Sequence, residues 1–306
     1  MINPLVSIVV IAYNSSSTII ETLESVKAQT YRNIELIVTD DCSTDKTLEL
    51  CERWLCSNSD SFVRAILVKS SMNTGVTANI NRGVEKCEGK WIKTIAGDDT
   101  LNSDCIQEYI SFVGEHPDCR ICLSCLRVFG SSKECCNSTE QWLKKDIYDR
   151  LKEKSREEQY KTCLYHHIMP GPAIFYQMSL WNEVGRFDER YPGTEEYPFE
   201  IKVLSIAKFY FLDKFLVNWR IRPNSLSRSN ISRAHDDDRR IFYDIRRPLM
   251  IKEGMYLEAW DHTLWYLVRD KIRADRRKWF YSLIMVLSPL WLINNLKSIL
   301  RKIYQV

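Results

Sequence analysis

Short apolar runs alternate with segments of helical spacing over the first hundred residues, and this alternation is the strongest constraint on the fold. Residues 5–12 (LVSIVVIA) form a continuous β-branched run, typical of a strand buried on both faces of a parallel sheet. The same periodicities predict strands at 33–39, 62–68 and 90–95, and helices at 18–28, from 44 onward and at 75–86. This alternation predicts an α/β fold with a mostly parallel central sheet flanked by helices.

Polar residues follow three of these predicted strands at the point where each strand ends. They are Tyr13-Asn14, Asp40-Asp41 and Asp98-Asp99. Ligands of open parallel sheets bind at the carboxyl ends of the strands, so we expect these side chains to border one crevice. Acids at strand ends also occur in turns and helix caps, and Ser43 or Thr44 fits a cap of the second helix.

Adjacent carboxylates at two places on one rim repel each other unless a cation or a hydrogen-bond donor offsets their charge. Mg²⁺ and Mn²⁺ favour one or two carboxylates together with water and substrate phosphate. The sequence therefore predicts a divalent metal, Mn²⁺ or Mg²⁺, held by Asp98 and Asp99.

Composition and charge exclude several classes of protein. With 45% hydrophobic residues, 27% charged residues, 10 Gly and 9 Pro, the chain of 306 residues is neither disordered nor collagen-like. The net charge is only +3, and residues 231–306 carry 15 Lys and Arg against 9 Asp and Glu, which argues against a nucleic-acid-binding protein. The first strand is not followed by a Gly-x-Gly-x-x-Gly turn, which argues against a dinucleotide oxidoreductase.

The basic C-terminal part predicts a second region with its own role. We expect a catalytic domain at 1–230 and a helical, basic and aromatic extension at 231–306. Residues 279–296 contain no charge, include Pro289 and have basic residues on both flanks, which favours a helix lying on a membrane surface. Packing against the catalytic domain or a dimer partner, and a true membrane span, are the alternatives.

The cysteines and the first residues bear on the compartment. There are 11 cysteines, an odd number, and residues 1–4 lead directly into the first strand without a signal-peptide pattern. We therefore expect reduced thiols and a cytoplasmic protein, peripheral on the inner face of the membrane.

Five segments, taken together, resemble a known family. They are VSIVVIAYN at 6–14, TDDCSTDKT at 39–47, NTGVTANINRG at 73–83, AGDDTL at 96–101 and FDERYPGTEEYPFEIKVL at 187–204. In this order they resemble a family 2 glycosyltransferase, and the likeness spans roughly residues 4–228. The resemblance implies the nucleotide-diphospho-sugar transferase (A-type glycosyltransferase) fold and transfer of a sugar with inversion.

The resemblance also implies a donor site. By this likeness the nucleotide-sugar is bound by Ala12, Tyr13, Asn14, Asp40, Asn73, Gly75, Asn81, Asp98 and Arg222. The ring of Tyr13 would pack on the base, and Asp40 would accept a hydrogen bond from it. Uracil has a matching donor at N3, so a UDP-sugar is expected, although thymine has the same donor.

Glu195-Glu196-Tyr197-Pro198 matches the place where this family has its catalytic acids. The resemblance implies that Glu196 is the general base that deprotonates the acceptor hydroxyl, with Glu195 as the alternative. An acid in the first turn of a helix also stabilises that helix, which explains the residue without catalysis.

Residues 134–167 and 169–172 would border the acceptor, or would form a solvated helical face and a rigid turn.

Three departures from the family pattern affect the donor site. Ala96 stands where an aspartate is common, so the metal site has one carboxylate fewer. Ile80 replaces a frequent arginine, with Arg82 two positions on. Arg222 replaces a histidine and can bind a diphosphate but not a metal.

The sequence as a whole predicts a glycosyltransferase that uses a nucleotide-sugar and extends a glycan, expected to be lipid-linked, in surface polysaccharide synthesis. Two other classes remain open at this point. A homologue that binds nucleotide-sugars without transferring them would fit the missing carboxylate at Ala96. A sugar nucleotidyltransferase would instead release pyrophosphate from a nucleoside triphosphate.

Overall fold

The computed structural model describes residues 3–192, 194–221, 231–275 and 288. The chain divides into two compact units, Met1–Ala234 and His235–Val306. Arg222 and all but one residue of the uncharged stretch 279–296 lie outside the described residues.

The first unit is built on strands and helices that follow the predicted order. Its strands are β1 (Val6–Ala12), β2 (Ile34–Asp40), β3 (Arg64–Lys69), β4 (Trp91–Ala96), β5 (Thr100–Leu101), β6 (Ile121–Phe129), β7 (Ile174–Gln177) and β8 (Tyr210–Arg220). Its helices are α1 (Ile19–Lys27), α2 (Thr47–Asn58), α3 (Val76–Val84), α4 (Cys105–Glu115), α5 (Lys133–Trp142), α6 (Asp149–Leu151), α7 (Arg156–Tyr165), α8 (Met178–Val184) and α9 (Glu196–Ile206). A π-helical stretch, Leu143–Tyr148, joins α5 to α6.

The strands form one mixed sheet in the order β3-β2-β1-β4-β7-β6-β8-β5. The first four are mutually parallel, whereas β7 runs antiparallel to β4 and β6. Every residue of β2 and all but one of β1 are buried, as a parallel strand covered on both faces requires. The expected α/β architecture is therefore present, with four parallel strands on one side of the sheet and a further parallel pair, β6 and β8.

Register brings the carboxyl ends of three strands side by side. In β1, Ala12 pairs with Asp40 of β2, and Ile11 pairs with Ala96 of β4. The N–H of Gly97 extends this alignment by donating to the carbonyl of Ile11 at 2.8 Å. The polar residues that follow β1, β2 and β4 consequently share one edge of the sheet.

The charged segment 134–167, which the sequence predicts to border the acceptor or to form a solvated helical face, differs in part from the second of these expectations. It is helical, but α7 buries Tyr160, Cys163 and Leu164, and its N-terminal capping box is formed by Ser155 and Glu158. Apolar residues are too few here to stand out among Lys, Glu and Arg, yet they lie on one face. The segment therefore contributes buried side chains to the core of the first unit.

The second unit is helical over its described residues. Helix α10 (Ile231–Ile241) leads into it, followed by a π-helical stretch (Phe242–Arg246), α11 (Arg247–Lys252) and α12 (Tyr256–Asp275). The guanidinium of Arg246 is buried, 3.4 Å from Asp238 and 3.1 Å from the Nδ1 of His262. Among the described residues, none of the helices has the length and apolar character needed to cross a bilayer.

Candidate active site

Tyr13 is the exposed aromatic side chain at the end of β1. It follows the buried Ala12 and is 39% exposed, so one ring surface is available to a flat ligand. Large aromatic side chains usually bury more of their area, which makes an exposed ring beside three strand ends a candidate base platform.

Asn14 connects the end of β1 to the loop after β2. Its backbone has a φ of 49°, in the left-handed region that Asn tolerates better than most residues. Its Oδ1 accepts hydrogen bonds from the N–H of Thr44 at 2.8 Å and of Asp45 at 3.4 Å, and its own N–H donates to the Oγ of Ser43 at 2.9 Å. Asn14 therefore ties the end of β1 to the loop that follows Asp40.

Asp40 ends β2 with its side chain almost fully buried. Its two carboxylate oxygens accept hydrogen bonds from the N–H and the Oγ of Ser43, at 2.9 and 2.5 Å. Cys42, between them, has a φ of 61°, where a glycine would be unstrained. The turn is thus held by Asp40, and the carboxylate keeps lone pairs beyond those that Ser43 uses.

Asp41 fixes the start of α3, a role that the sequence did not indicate. Its carboxylate accepts hydrogen bonds from the N–H of Thr74 at 2.9 Å, the Oγ1 of Thr74 at 2.6 Å and the N–H of Gly75 at 2.7 Å. Arg82 approaches the same carboxylate at 3.4 Å, so this arginine faces Asp41. The buried charge of Asp41 is therefore offset by one cation and three donors.

The NTGVTANINRG segment places its polar residues on two sides of α3. Asn73 accepts a hydrogen bond from the N–H of Gly75 at 3.1 Å, and Gly75, with a φ of 89°, starts the helix. Asn81 instead lies buried: its amide donates to the carbonyl of Phe187 at 3.0 Å and its Oδ1 accepts from the N–H of Phe187 at 3.1 Å. A third bond, at 2.9 Å, joins it to Glu189, so Asn81 anchors the segment that precedes Glu195 and Glu196.

Asp98 and Asp99 follow β4 on the same sheet edge. Asp98 is half-buried, and Asp99 is buried with its Oδ1 accepting from the N–H of Arg220 at 2.8 Å. Burial, and then the adjacent charge of Asp98, raise the pKa of Asp99 to about 8, against the opposing effects of the Arg220 N–H and of Lys93. The two carboxyl groups are therefore neighbours in the chain at this sheet edge, and the ionised form of the buried one is disfavoured.

The residues present fit a divalent cation that takes its remaining ligands from phosphate and water. Within the described part of the chain, no three His, Cys, Asp or Glu side chains are grouped to hold a metal by themselves. Two adjacent carboxylates suffice for Mg²⁺ or Mn²⁺ when a diphosphate completes the shell. Burial and the neighbouring charge of Asp98 disfavour the ionised form of Asp99, and a bound cation would offset both effects.

Arg220 is a second side chain at this sheet edge that the sequence pattern did not single out. Its Nε donates to the backbone carbonyl of Asp98 at 2.7 Å, and its Nη2 pairs with Glu21 at 2.5 Å. Its guanidinium also lies over the ring of Phe129, 4.3 Å from the centroid. Arg220 therefore shapes the loop that presents the two aspartates, while Arg222 falls outside the described residues.

Glu195 and Glu196 begin helix α9. Glu195 is 7% exposed, and Glu196, the first helical residue, is half-buried against Gly171. A Cβ built on Gly171 would overlap the Oε1 of Glu196 and lie 3.2 Å from its Cδ. Burial raises the pKa of Glu196, opposed by its own backbone N–H, and a carboxylate of raised pKa is a stronger base when ionised.

Sequence comparisons relate this geometry to known proteins. The model of glycosyl transferase family 2 matches residues 7–183, more than half of the chain. An uncharacterised glycosyltransferase of Rickettsia typhi is 24% identical over 234 residues, covering 76% of this chain and 69% of that protein. A PGL/p-HBAD biosynthesis glycosyltransferase of Mycobacterium bovis is 26% identical over 207 residues, covering 67% of this chain and 72% of that protein.

Solved structures agree on the fold. S. aureus TarS 1-349 in complex with UDP-GlcNAc has a TM-score of 0.60 at 19% identity, covering 79% of this chain and 66% of that chain. The mannosyltransferase PcManGT of Pyrobaculum calidifontis, in complex with GDP-Man and Mn²⁺, has a TM-score of 0.54 at 16% identity, over 73% of this chain and 59% of that one. These likenesses confirm the predicted A-type glycosyltransferase fold.

Some relatives are considerably longer. The chain spans 24% of a Sinorhizobium fredii protein to which it is 26% identical over 241 residues, and 39% of a longer crystallised form of TarS. The family match nevertheless includes β1, β2 and β4 and the polar residues at their ends. The chain belongs to glycosyl transferase family 2, and it is a glycosyltransferase.

Proposed function

We propose that this glycosyltransferase moves a sugar from a UDP-sugar to an acceptor hydroxyl with inversion at the anomeric carbon. The observation that carries the proposal is the shared edge of β1, β2 and β4, where an exposed tyrosine, a buried aspartate and a carboxylate pair lie together. The tyrosine ring would stack on the base of the nucleotide, and the buried aspartate would accept a hydrogen bond from that base. The carboxylate pair would hold the metal that binds the diphosphate. The TarS structure that this chain resembles is a complex with UDP-GlcNAc.

The uracil would be held between Tyr13 and Asp40. The exposed ring of Tyr13 offers a stacking surface, and Asp40 offers carboxylate lone pairs at the end of the adjacent strand. A carboxylate that accepts a hydrogen bond discriminates in favour of bases with a ring N–H, because a base without that donor would leave the buried acceptor unpaired. Uracil has this N–H at N3 and cytosine does not, which favours UDP over CDP.

Asp98 and Asp99 would hold the divalent metal, Mn²⁺ or Mg²⁺. When bound, the metal would offset the negative charge that develops on the departing diphosphate. Arg220 fixes the loop carrying both aspartates through the Asp98 carbonyl and the Asp99 carboxylate. PcManGT, which shares the fold, is a complex with Mn²⁺, which supports this assignment.

Glu196 would act as the general base, with Glu195 as the alternative. The acceptor hydroxyl loses its proton to the Glu196 carboxylate, and its oxygen bonds to the anomeric carbon. The bond from that carbon to the diphosphate oxygen breaks, and UDP leaves with the electron pair. Attack from the face opposite UDP inverts the configuration, and the raised pKa of Glu196 supports proton transfer from a weakly acidic hydroxyl.

We also propose that the acceptor is a lipid-linked glycan and that the extension at 231–306 brings the enzyme to the cytoplasmic face of a membrane. The uncharged stretch 279–296 between basic flanks supports a surface-bound helix. The Mycobacterium bovis relative is named as a PGL/p-HBAD biosynthesis glycosyltransferase, which supports a biosynthetic role. Sedimentation of the full chain with anionic vesicles, and loss of it after residues 276–306 are removed, would support this placement; equal sedimentation would contradict it.

The donor assignment is tested by calorimetric titration with UDP, GDP, CDP and dTDP, each with Mn²⁺ and with a chelator. We expect UDP to bind in the presence of Mn²⁺, with dTDP close behind because thymine has the same N3 donor. Preferential binding of CDP, whose base has no ring N–H, would refute the role of Asp40. Preferential binding of GDP would refute the assignment of uracil, and equal affinity with a chelator would refute the metal.

A further inference from the structure

The backbone of residues 168–174 is held by three fully buried polar side chains from three different elements. The first is Glu200 of α9, whose carboxylate accepts hydrogen bonds from the N–H of Ile168 at 3.1 Å and of Met169 at 3.3 Å. His167 adds its Nε2 at 3.3 Å from the same carboxylate. We refer to residues 168–174 as the base-support segment.

The other two anchors hold the far end of the base-support segment. Lys93 of β4 donates from Nζ to the carbonyl oxygens of Pro172 and, at 3.2 Å, Ile174. Tyr109 of α4 donates its hydroxyl to the carbonyl of Ala173 at 2.6 Å. Both side chains are fully buried, and the segment closes on itself through the N–H of Ala173 and the carbonyl of Pro170 at 2.9 Å.

Two titratable side chains are therefore buried in order to bind backbone groups of one short segment. Removing a carboxyl and an ammonium group from water is costly, and burial raises the pKa of Glu200 to about 8 and lowers that of Lys93 to about 8. Apolar residues of similar volume would fill the same space at lower cost. The polar anchors indicate that the exact course of this segment matters.

Gly171, at the centre of the base-support segment, is in contact with Glu196. Its missing side chain leaves the space in which the Glu196 carboxyl lies: a Cβ there would overlap Oε1 and lie 3.2 Å from Cδ and 3.3 Å from Cγ. The backbone of Gly171 does not have a positive φ, so steric contact is the reason for a glycine at this position. A displacement of the segment would move the carboxylate with it.

We propose that Glu200 and Lys93 are positioning residues that fix the base-support segment, and that Gly171 sets the place of the Glu196 carboxylate. This inference rests on the proposed function, since it assigns a purpose to these contacts through Glu196 as the base. Misplacing a catalytic group by about 1 Å is sufficient to lower a rate about 100-fold.

The test uses two pairs of variants in the full chain. Gly171→Ala introduces the clashing Cβ, and its matched control is Gly114→Ala in α4, where a Cβ meets nothing within 4 Å. Glu200→Leu removes the acceptors of the Ile168 and Met169 N–H groups, whereas the conservative Glu200→Gln retains one acceptor oxygen. Turnover is followed as UDP released from UDP-GlcNAc, with water in the place of the acceptor.

We expect Gly171→Ala and Glu200→Leu to lower kcat at least tenfold with KM for UDP-GlcNAc within twofold, and Glu200→Gln to recover most of the loss. Gly114→Ala should leave both constants unchanged. If Gly171→Ala and Glu200→Leu retain kcat while Glu196→Gln abolishes it, the positioning role is wrong and the base assignment stands. If Glu196→Gln itself retains kcat, the base assignment fails.

Amide hydrogen exchange of the peptide covering 167–174 provides a readout that needs no turnover. The peptide should exchange slowly in the wild-type chain, in Glu200→Gln and in the control Gly114→Ala. Its exchange rate should rise at least tenfold in Glu200→Leu and in Lys93→Met. Equal protection in all five proteins would overturn the anchoring, whatever the substrate proves to be. If Glu200→Leu does not fold, Lys93→Met and Gly171→Ala carry the test.

Discussion

Replacing Glu200 by glutamine should change how the stability of the protein depends on pH. The carboxyl of Glu200 is fully buried, and burial raises its pKa from 4.5 to about 8. The folded protein therefore binds a proton in this pH range that the unfolded chain releases. The contribution of Glu200 to the free energy of unfolding is therefore fully present below pH 4.5, and this contribution is lost as the pH rises towards 8.

The size of the effect follows from the two pKa values. Each pH unit between them corresponds to about 1.4 kcal/mol, so the shift is worth on the order of 5 kcal/mol in the free energy of unfolding. Relaxation and water entry reduce such values, and we expect a change of at least about 2 kcal/mol. The groups that face Glu200 are Cys163, His167 and Glu196, and all of them remain in Glu200→Gln.

The assay is urea unfolding of the wild-type chain and of Glu200→Gln at pH 5.5 and pH 9.0. Glutamine loses an acceptor and brings an amide group against backbone donors, which costs about 1 to 3 kcal/mol at every pH. The difference between the two proteins should therefore shift in favour of Glu200→Gln by at least about 2 kcal/mol on going to pH 9.0. Parallel pH dependence in the two proteins would refute the burial of a titrating carboxyl at this position.

Three further predictions concern the donor site and its loops. Asp40→Ala should weaken UDP binding at least tenfold, because the base loses its acceptor and the Ser43 turn loses its anchor; unchanged calorimetric affinity would contradict the role of Asp40. Asp99→Asn should remove most of the Mn²⁺ dependence of UDP binding while Glu49→Gln, an exposed acid in α2, leaves it intact; an unaltered metal response in Asp99→Asn would exclude Asp99 as a ligand. Cys42→Gly should raise the free energy of unfolding by up to about 1 kcal/mol, because the φ of 61° is strained for cysteine and not for glycine, and a lower melting temperature would refute that strain.

Most of the first unit could be predicted from periodicity and strand ends. The β1, β2, β3 and β4 strands begin and end within two residues of their predicted bounds, because each is a short run rich in β-branched and aliphatic residues between turn or helix signals. The two-residue strand β5 and helix α4 were not predicted. β5 exists through its pairing of Thr100 with Asn218, more than a hundred residues away, and no local pattern signals such a contact.

The candidate site could be predicted residue by residue only in part. Strand ends are visible in a sequence, so Tyr13, Asp40, Asp98 and Asp99 could be named, and the register places them on one edge. Hydrogen-bond partners are set by tertiary packing, which is why the contact of Asn81 with Phe187 was not foreseen.

The side chains that anchor the segment beside Glu196 could not be predicted from the sequence either. Glu200 lies one helical turn after Glu196 and reads as an ordinary helix acid, and Lys93 interrupts an apolar strand without indicating its partners. Only the packed structure brings both to the base-support segment, through the backbone of Ile168, Met169, Pro172 and Ile174.

The most direct test of the account is the behaviour of Glu196→Gln. The amide keeps the shape of the side chain beside Gly171 and removes the basic oxygen that takes the acceptor proton. Calorimetric affinity for UDP with Mn²⁺ should equal that of the wild-type chain, while UDP release from the UDP-sugar that the enzyme uses should fall at least 100-fold. Wild-type turnover by Glu196→Gln would contradict the proposed mechanism and leave Glu195 as the next residue to replace.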